Sequence, residues 1–196
     1  IIAIDSGISY SGYCFSLASG TDQILQVYWG TKHGFKTPKM PRGILFNQKQ
    51  EFKYFGYDAV MKYKSLPSSQ ANSRYFFQNF KIGLYNTVGG RVTTIRAGME
   101  LKATNGKLLP ALTVFSESLH YLKEHALNTI KEASFQTVYN QEITWVITVP
   151  AIWSAAAKQL MCLAARVKNR RIISDMLSRN LIIALEPEAA SLWCKQ

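Results

Sequence analysis

Residues 1–17 read IIAIDSGISYSGYCFSL: two apolar, β-rich runs, IIAI and YCFSL, flank a polar segment that holds Gly7 and Gly12. The pattern predicts a strand, a tight turn and a second, antiparallel strand. Glycines let such a turn bring backbone N–H groups close to an anion, and the hydroxyls of Ser9 and Ser11 are further donors. Asp5 closes the first strand beside the turn, where one carboxylate can hold a hydrated Mg²⁺, an ion that keeps most of its waters. Spacing alone leaves an ordinary hairpin with a solvated aspartate as the commoner outcome, because short Gly/Ser turns are frequent.

Outward from this hairpin, ILQVYW at 24–29 continues as a third strand closed by Gly30, so the chain opens on a three-stranded antiparallel meander. From Thr31 to about Pro110 the character changes, with Pro38, Pro41 and Pro67, Gly89 and Gly90, and the aromatic groups Tyr54, Phe55 and Tyr75, Phe76, Phe77. Strand pairs are expected within 43–57 and 88–101, and short helices at 58–64 and 73–81. The stretch reads as an inserted subdomain. Leu112, Phe115, Leu119, Leu122, Ala126 and Ile130 then recur at three- and four-residue steps, one apolar stripe of a long helix for which Pro110 suits the start. His120 and His125 fall ~140° apart on that helix and cannot readily share a metal.

ITWVITVP, 143–150, is a β-branched run without alternation, as expected for a central strand covered on both faces. Ser154 is a candidate N-cap for a second amphipathic helix carrying Ala157, Leu160, Met161 and Ala164. LIIAL, 181–185, reads as another buried strand, followed at once by Glu186 and a short helix. The order is a β-meander followed by βαβ, with right-handed crossovers expected. In such sheets active groups gather at the carboxyl ends of the strands, where Asp5 and Glu186 both fall.

Of the 196 residues, 47% are hydrophobic and 18% charged, a globular composition. Lys+Arg number 23 against 12 Asp+Glu, a net +11 that suits nucleic acid, anionic lipid or a phosphate ligand. The basic residues are scattered, however, and the densest group, Lys168, Arg170 and Arg171, reads as a solvated face, so nucleic acid is not the expected partner. Cys14, Cys162 and Cys194 form no CxxC pair and read as buried, reduced thiols rather than a disulfide or zinc framework. No apolar run approaches the ~20 residues of a membrane span. The cytoplasm, with the nucleus as a further compartment, fits best, and the opening on Ile1 inside a strand suggests a piece of a longer protein.

Three stretches in this order, IDSGISYSG, VITVPAIW and IIALEPEAAS, resemble the first phosphate loop, the central strand and the connecting helix of the actin-like ATPases, and among those the 70-kilodalton heat-shock proteins. WG at Trp29, YFF and FK around Tyr75 and Lys81, ATNGK at 103–107 and ALEPEAA resemble that family's divergent member 12 branch. The resemblance covers essentially the whole chain. It implies an α/β fold, a ribonuclease H-like mixed sheet flanked by helices with an inserted α+β subdomain, and divides the chain into a core lobe at 1–36 and 111–196 and an insertion at 37–110. It further implies that Asp5 organises Mg²⁺ through water, that Gly7, Ile8, Ser9 and Tyr10 cradle the phosphates of ATP or ADP, that Lys81 reaches the γ-phosphate and the attacking water, and that Glu186 positions the nucleophile. A second lobe with its own glycine-rich acidic loop, and any peptide-binding domain with its protein clients, are expected outside these residues, so the piece alone is expected to bind ATP weakly.

Where the family usually carries Gly-Thr-Thr after the aspartate and one hydrophobic residue, this chain has Ser6, Gly7, Ile8 and Ser9. Ile8 removes a hydroxyl beside the phosphates, and one lost preorganised donor costs on the order of a hundredfold in rate. The chain therefore reads as the ATPase lobe of a heat-shock-70-like protein or, alternatively, as a degenerate nucleotide-binding or protein-interaction scaffold with little turnover. A two-metal nuclease of related architecture needs more strand-end carboxylates than Asp5 and Glu186. Gly106 and Lys107 lack the first glycine of a P-loop, and the Gly7 to Ser11 segment lacks the second glycine of a GxSxG hydrolase.

Overall fold

The computed structural model describes residues 1–17, 24–84, 98–134, 143–168, 171–172 and 180–193. Strands β1 (Ile2–Ser6) and β2 (Tyr10–Phe15) make the expected hairpin, with Ile2 opposite Phe15 and Ser6 opposite Ser11. The third strand is shorter than expected: of residues 24–29, β3 (Leu25–Gln26) is the part that pairs with β2. Trp29 instead bridges Thr37 and buries its ring against Tyr13 and His125, an aromatic contact that takes the chain away from the sheet.

A further short strand, β4 (Met40–Pro41), pairs with the start of β2. Next come β5 (Gly43–Phe46) and β6 (Phe52–Phe55), the strand pair expected within 43–57, then α1 (Gly56–Lys64), which covers the expected helix at 58–64. The helix expected over 73–81 is absent. A short α2 (Ser68–Ser73) ends where it was to begin, and Tyr75, Phe76 and Phe77 form β7 (Tyr75–Gln78) against β5, followed by a 3₁₀ turn at Phe80–Leu84. Three consecutive aromatic residues suit a pleated surface better than a helix, and Phe76 and Phe77 are buried on opposite faces of this three-stranded sheet.

Most of the strand pair expected within 88–101 lies outside the described residues; the hairpin present joins β8 (Glu100–Lys102) to β9 (Leu108–Pro110). Pro110 ends that strand and Ala111 begins α3 (Ala111–Ser134), whose buried stripe contains Phe115, Leu119, Leu122, Ala126 and Ile130. Each large apolar side chain so buried contributes roughly 1.5–3 kcal/mol. After β10 (Trp145–Val149), Ser154 Oγ accepts from Ala157 N–H at 3.2 Å, the expected cap of α4 (Ala155–Arg166). A small hairpin of β11 (Val167–Lys168) and β12 (Arg171–Ile172) precedes β13 (Leu181–Leu185) and α5 (Glu186–Trp193); side chains of the basic group at 168, 170 and 171 lie outside the described residues.

The principal sheet runs β13-β10-β1-β2-β3, parallel among β13, β10 and β1 and antiparallel beyond, so the chain is a mixed α/β protein with helices on a mixed sheet. Its closed face, Ile2, Ile4, Trp145, Ile147 and Val149, belongs to the same core as α3 and α4. The other face, with Ala3, Asp5, Val146 and Thr148, is only half-buried, which corrects the expectation that β10 is covered on both sides. β13 is likewise not the buried strand expected: it ends the order of strands, and Ile182 is 51% exposed. Cys14 and Cys162 are free thiols, half-buried rather than buried; Cys194 lies outside the described residues.

Candidate functional site

The parallel register sets Asp5 beside Thr148, and β13 runs directly into Glu186, so three strand ends deliver polar side chains to one edge of the sheet. Thr148 Oγ1 donates to Asp5 Oδ1 at 3.0 Å, and the Lys39 ammonium pairs with Oδ2. Asp5, Gly12, Cys14, Lys39, Thr148 and Glu186 line a cleft of about 370 Å³ on the open face. Burial, with the nearby Asp5 charge, pushes the Cys14 thiol up, which disfavours the thiolate.

The turn between β1 and β2 is bounded by steric need. A Cβ at Gly7 would sit 2.6 Å from the Tyr10 carbonyl oxygen, which only glycine avoids. Ile8, Ser9 and Tyr10 are exposed. Of the two hydroxyls expected to face a ligand, Ser9 stays at the surface, but Ser11 is fully buried and its Oγ has no hydrogen-bond partner among the described residues. Strand alternation explains this: Ser11 pairs with Ser6, and both point to the closed face.

Beneath the turn lies Arg42, 1% exposed, whose Nη1 donates to the carbonyls of Ser6 at 3.0 Å and Gly7 at 2.5 Å, while its backbone N–H donates to Ser9 O at 2.8 Å. Its guanidinium rests on the rings of Phe80 (4.4 Å) and Phe115 (5.3 Å). Burial pulls it down to about 9, opposed by Asp5 and Glu186, which leaves it charged at neutral pH. The 3₁₀ turn brings Lys81 to the same place. Its buried Nζ donates to Ser6 O at 2.5 Å and to Glu186 Oε1 at 2.6 Å, and stands 5.0 Å from the Trp153 ring centroid. Burial lowers the Lys81 ammonium below the ordinary lysine range, with Glu186 pulling the other way and Arg42 adding to the depression.

Asp5, Lys81 and Glu186 thus converge around one turn, although they are 76 and 105 residues apart along the chain. Among the described residues, Lys39, Arg42 and Lys81 face two carboxylates, Asp5 and Glu186, so the edge holds an excess of one positive charge beneath an exposed turn. Such a place attracts an anion. Sequence pattern alone does not single out Lys39, Arg42 and Thr148. The cue for the first two was TPKMPRG, where two prolines stiffen a segment carrying two cations, and for Thr148 a hydroxyl at the end of an apolar strand.

The histidines lie elsewhere. His125 Nδ1 hydrogen-bonds the Tyr13 hydroxyl at 2.7 Å and its ring packs on Trp29 at 4.4 Å, whereas His120 stands 3.9 Å from Glu124. Among the described residues no cluster of three or more His, Cys, Asp or Glu side chains is placed to hold a metal, and no helix is long and apolar enough to cross a membrane.

No protein-family model matches the chain. Its similarity to known proteins is nevertheless extensive: it is 36% identical over 198 aligned residues to heat shock 70 kDa protein 12B of Homo sapiens, 36% to heat shock 70 kDa protein 12A of Mus musculus and 35% to protein 12A of Homo sapiens. In each case the whole chain is matched, and it spans 28% of the relative's length. With alignment along its full extent to both members, the chain belongs to the heat shock 70 kDa protein family, in the branch of members 12A and 12B.

Proposed function

We propose that this chain is the first lobe of an ATP-binding, actin-like ATPase domain of ribonuclease H-like architecture, in which residues 1–36 and 111–196 form the core and 37–110 the insertion. The observation that carries this reading is the meeting of Lys81 with Glu186 and the Ser6 carbonyl, directly beside Asp5 and the exposed turn of Gly7, Ile8, Ser9 and Tyr10. The excess positive charge supports phosphate binding there, and the single half-exposed Asp5 carboxylate supports a divalent ion held through its waters. Mg²⁺, when bound, neutralises charge on the phosphates. The chain's own part is to orient: backbone N–H groups of the turn receive the phosphate oxygens, Arg42 holds the turn in shape, Lys81 supplies a fixed positive charge, and Glu186 accepts a hydrogen bond from the attacking water. ADP and phosphate are the products.

A second reading, a nucleotide-binding or protein-interaction scaffold with little turnover, is favoured by Ile8, an apolar, 38% exposed side chain at the centre of the turn. Calorimetric titration of the full-length protein with ATP and Mg²⁺, together with single-turnover hydrolysis, separates them. The ATPase reading expects binding that Asp5→Ala weakens at least tenfold and hydrolysis that Lys81→Ala abolishes. Binding without hydrolysis selects the scaffold, and no binding by the full-length protein overturns both nucleotide readings.

A further inference from the structure

We propose that Lys39 is a resident cation for Asp5, occupying the position a divalent ion would take, so that metal and lysine compete for this carboxylate and the phosphate site retains part of its positive charge when the metal is removed. The inference rests on the phosphate-binding reading of the turn and adds a regulation of the same site. Both Asp5 oxygens already receive donors, Thr148 on Oδ1 and Lys39 on Oδ2, so a hydrated ion approaching the carboxylate competes with the ammonium. The lysine is held for this contact by the fold. β4 pairs Met40 with Ser11, fixing the residue next to Lys39, and the Lys39 stem crosses Gly12, the cross-strand partner of Asp5. A Cβ at Gly12 would meet Lys39 Cγ at 3.4 Å and the Pro38 oxygen at 3.1 Å; glycine there leaves the lane open.

The contact is also exchangeable, since the Lys39 and Asp5 side chains are 50% and 35% exposed and the ammonium can swing into water when a metal arrives. Two cations cannot both neutralise one carboxylate at full strength, so metal and lysine are negatively coupled, and a phosphate beside Asp5 finds a positive charge with or without metal. Half-exposed pairs are weak, which sets the expected effect at about threefold to tenfold.

The test uses the full-length protein and Lys39→Met, which keeps the stem and removes the charge at an exposed position. Mn²⁺ alone, followed by the electron paramagnetic resonance of the free ion, is expected to bind the variant at least threefold tighter than wild type, and Asp5→Asn is expected to erase that difference. ATP titrated in EDTA is expected to bind the variant at least threefold more weakly. Equal Mn²⁺ affinity in wild type and variant, or a difference that survives Asp5→Asn, overturns the assignment of Lys39 while ATP binding in Mg²⁺ continues to support the phosphate site. Failure of ATP to bind wild type in Mg²⁺ overturns the phosphate site itself, and the Mn²⁺ comparison then still decides whether Lys39 competes at Asp5.

Discussion

Lys81→Met removes a buried ammonium while keeping nearly the same volume, and its two consequences are expected to part company. On stability, three contributions oppose one another. The hydrogen bond to Glu186 is lost, but that carboxylate is 36% exposed and recovers water. The Ser6 carbonyl keeps its bond from Arg42 Nη1 at 3.0 Å, so no buried acceptor is orphaned. Against these losses, the variant no longer buries a charge whose burial already depresses it, and it relieves repulsion from Arg42. The net change in unfolding free energy is expected to stay within about 1 kcal/mol, far below the ~3–5 kcal/mol of breaking a buried pair that leaves an uncompensated charge. On the proposed ATPase reading, removing this preorganised positive charge is expected to slow single-turnover hydrolysis by about a hundredfold or more. Urea denaturation and rapid-quench hydrolysis on the full-length protein measure the two separately. A loss of 3 kcal/mol or more would make Lys81 a structural residue, and unchanged hydrolysis would refute its role at the phosphate.

Three further outcomes are expected. Gly7→Ala, which would set a Cβ 2.6 Å from the Tyr10 carbonyl, is expected to cost roughly 1–3 kcal/mol through local strain and to abolish ATP binding measured by calorimetry, whereas Ser9→Ala leaves the turn in place. Ile8→Thr supplies a hydroxyl at an exposed position of the turn and is expected to raise single-turnover hydrolysis by about tenfold; no gain would place the slow step elsewhere. His125 is held below the ordinary histidine value of 6.5, first by burial and then by Lys32. The unfolded chain therefore takes up its proton first, so stability is fully present above about pH 6.5 and falls as pH drops, until the folded-state histidine protonates too. His125→Gln is expected to reduce the shift of the urea midpoint between about pH 7.5 and 5.5, and an identical shift in both proteins would exclude His125 as the source.

The local grammar of this chain was legible without coordinates wherever one period dominated. The β1–β2 hairpin follows from its glycines, α3 and α4 from their apolar stripes, and β10 from its β-branched run, because each element is specified by residues adjacent in sequence. Asp5 and Glu186 were legible for the same reason, as acids at the ends of strands. What the tertiary structure decided is everything that depends on partners far along the chain. Tyr75, Phe76 and Phe77 became a strand only because β5 offered an edge on which aromatic side chains could be buried, and Trp29 left the meander for the rings of Tyr13 and His125. The sequence offers Ser11 as a donor, but strand pairing turns it to the closed face. Arg42 and Lys39 carry no signal in their own neighbourhoods beyond a pair of prolines. Their roles arise because a buried guanidinium needs carbonyl oxygens and an ammonium seeks a carboxylate, and folding brings both within reach at the turn of residues 7–10. Short-range pattern thus determined which elements form and where acids end the strands, and long-range packing determined the electrostatics of the site, since charge interactions depend on distance in space and not on separation in sequence.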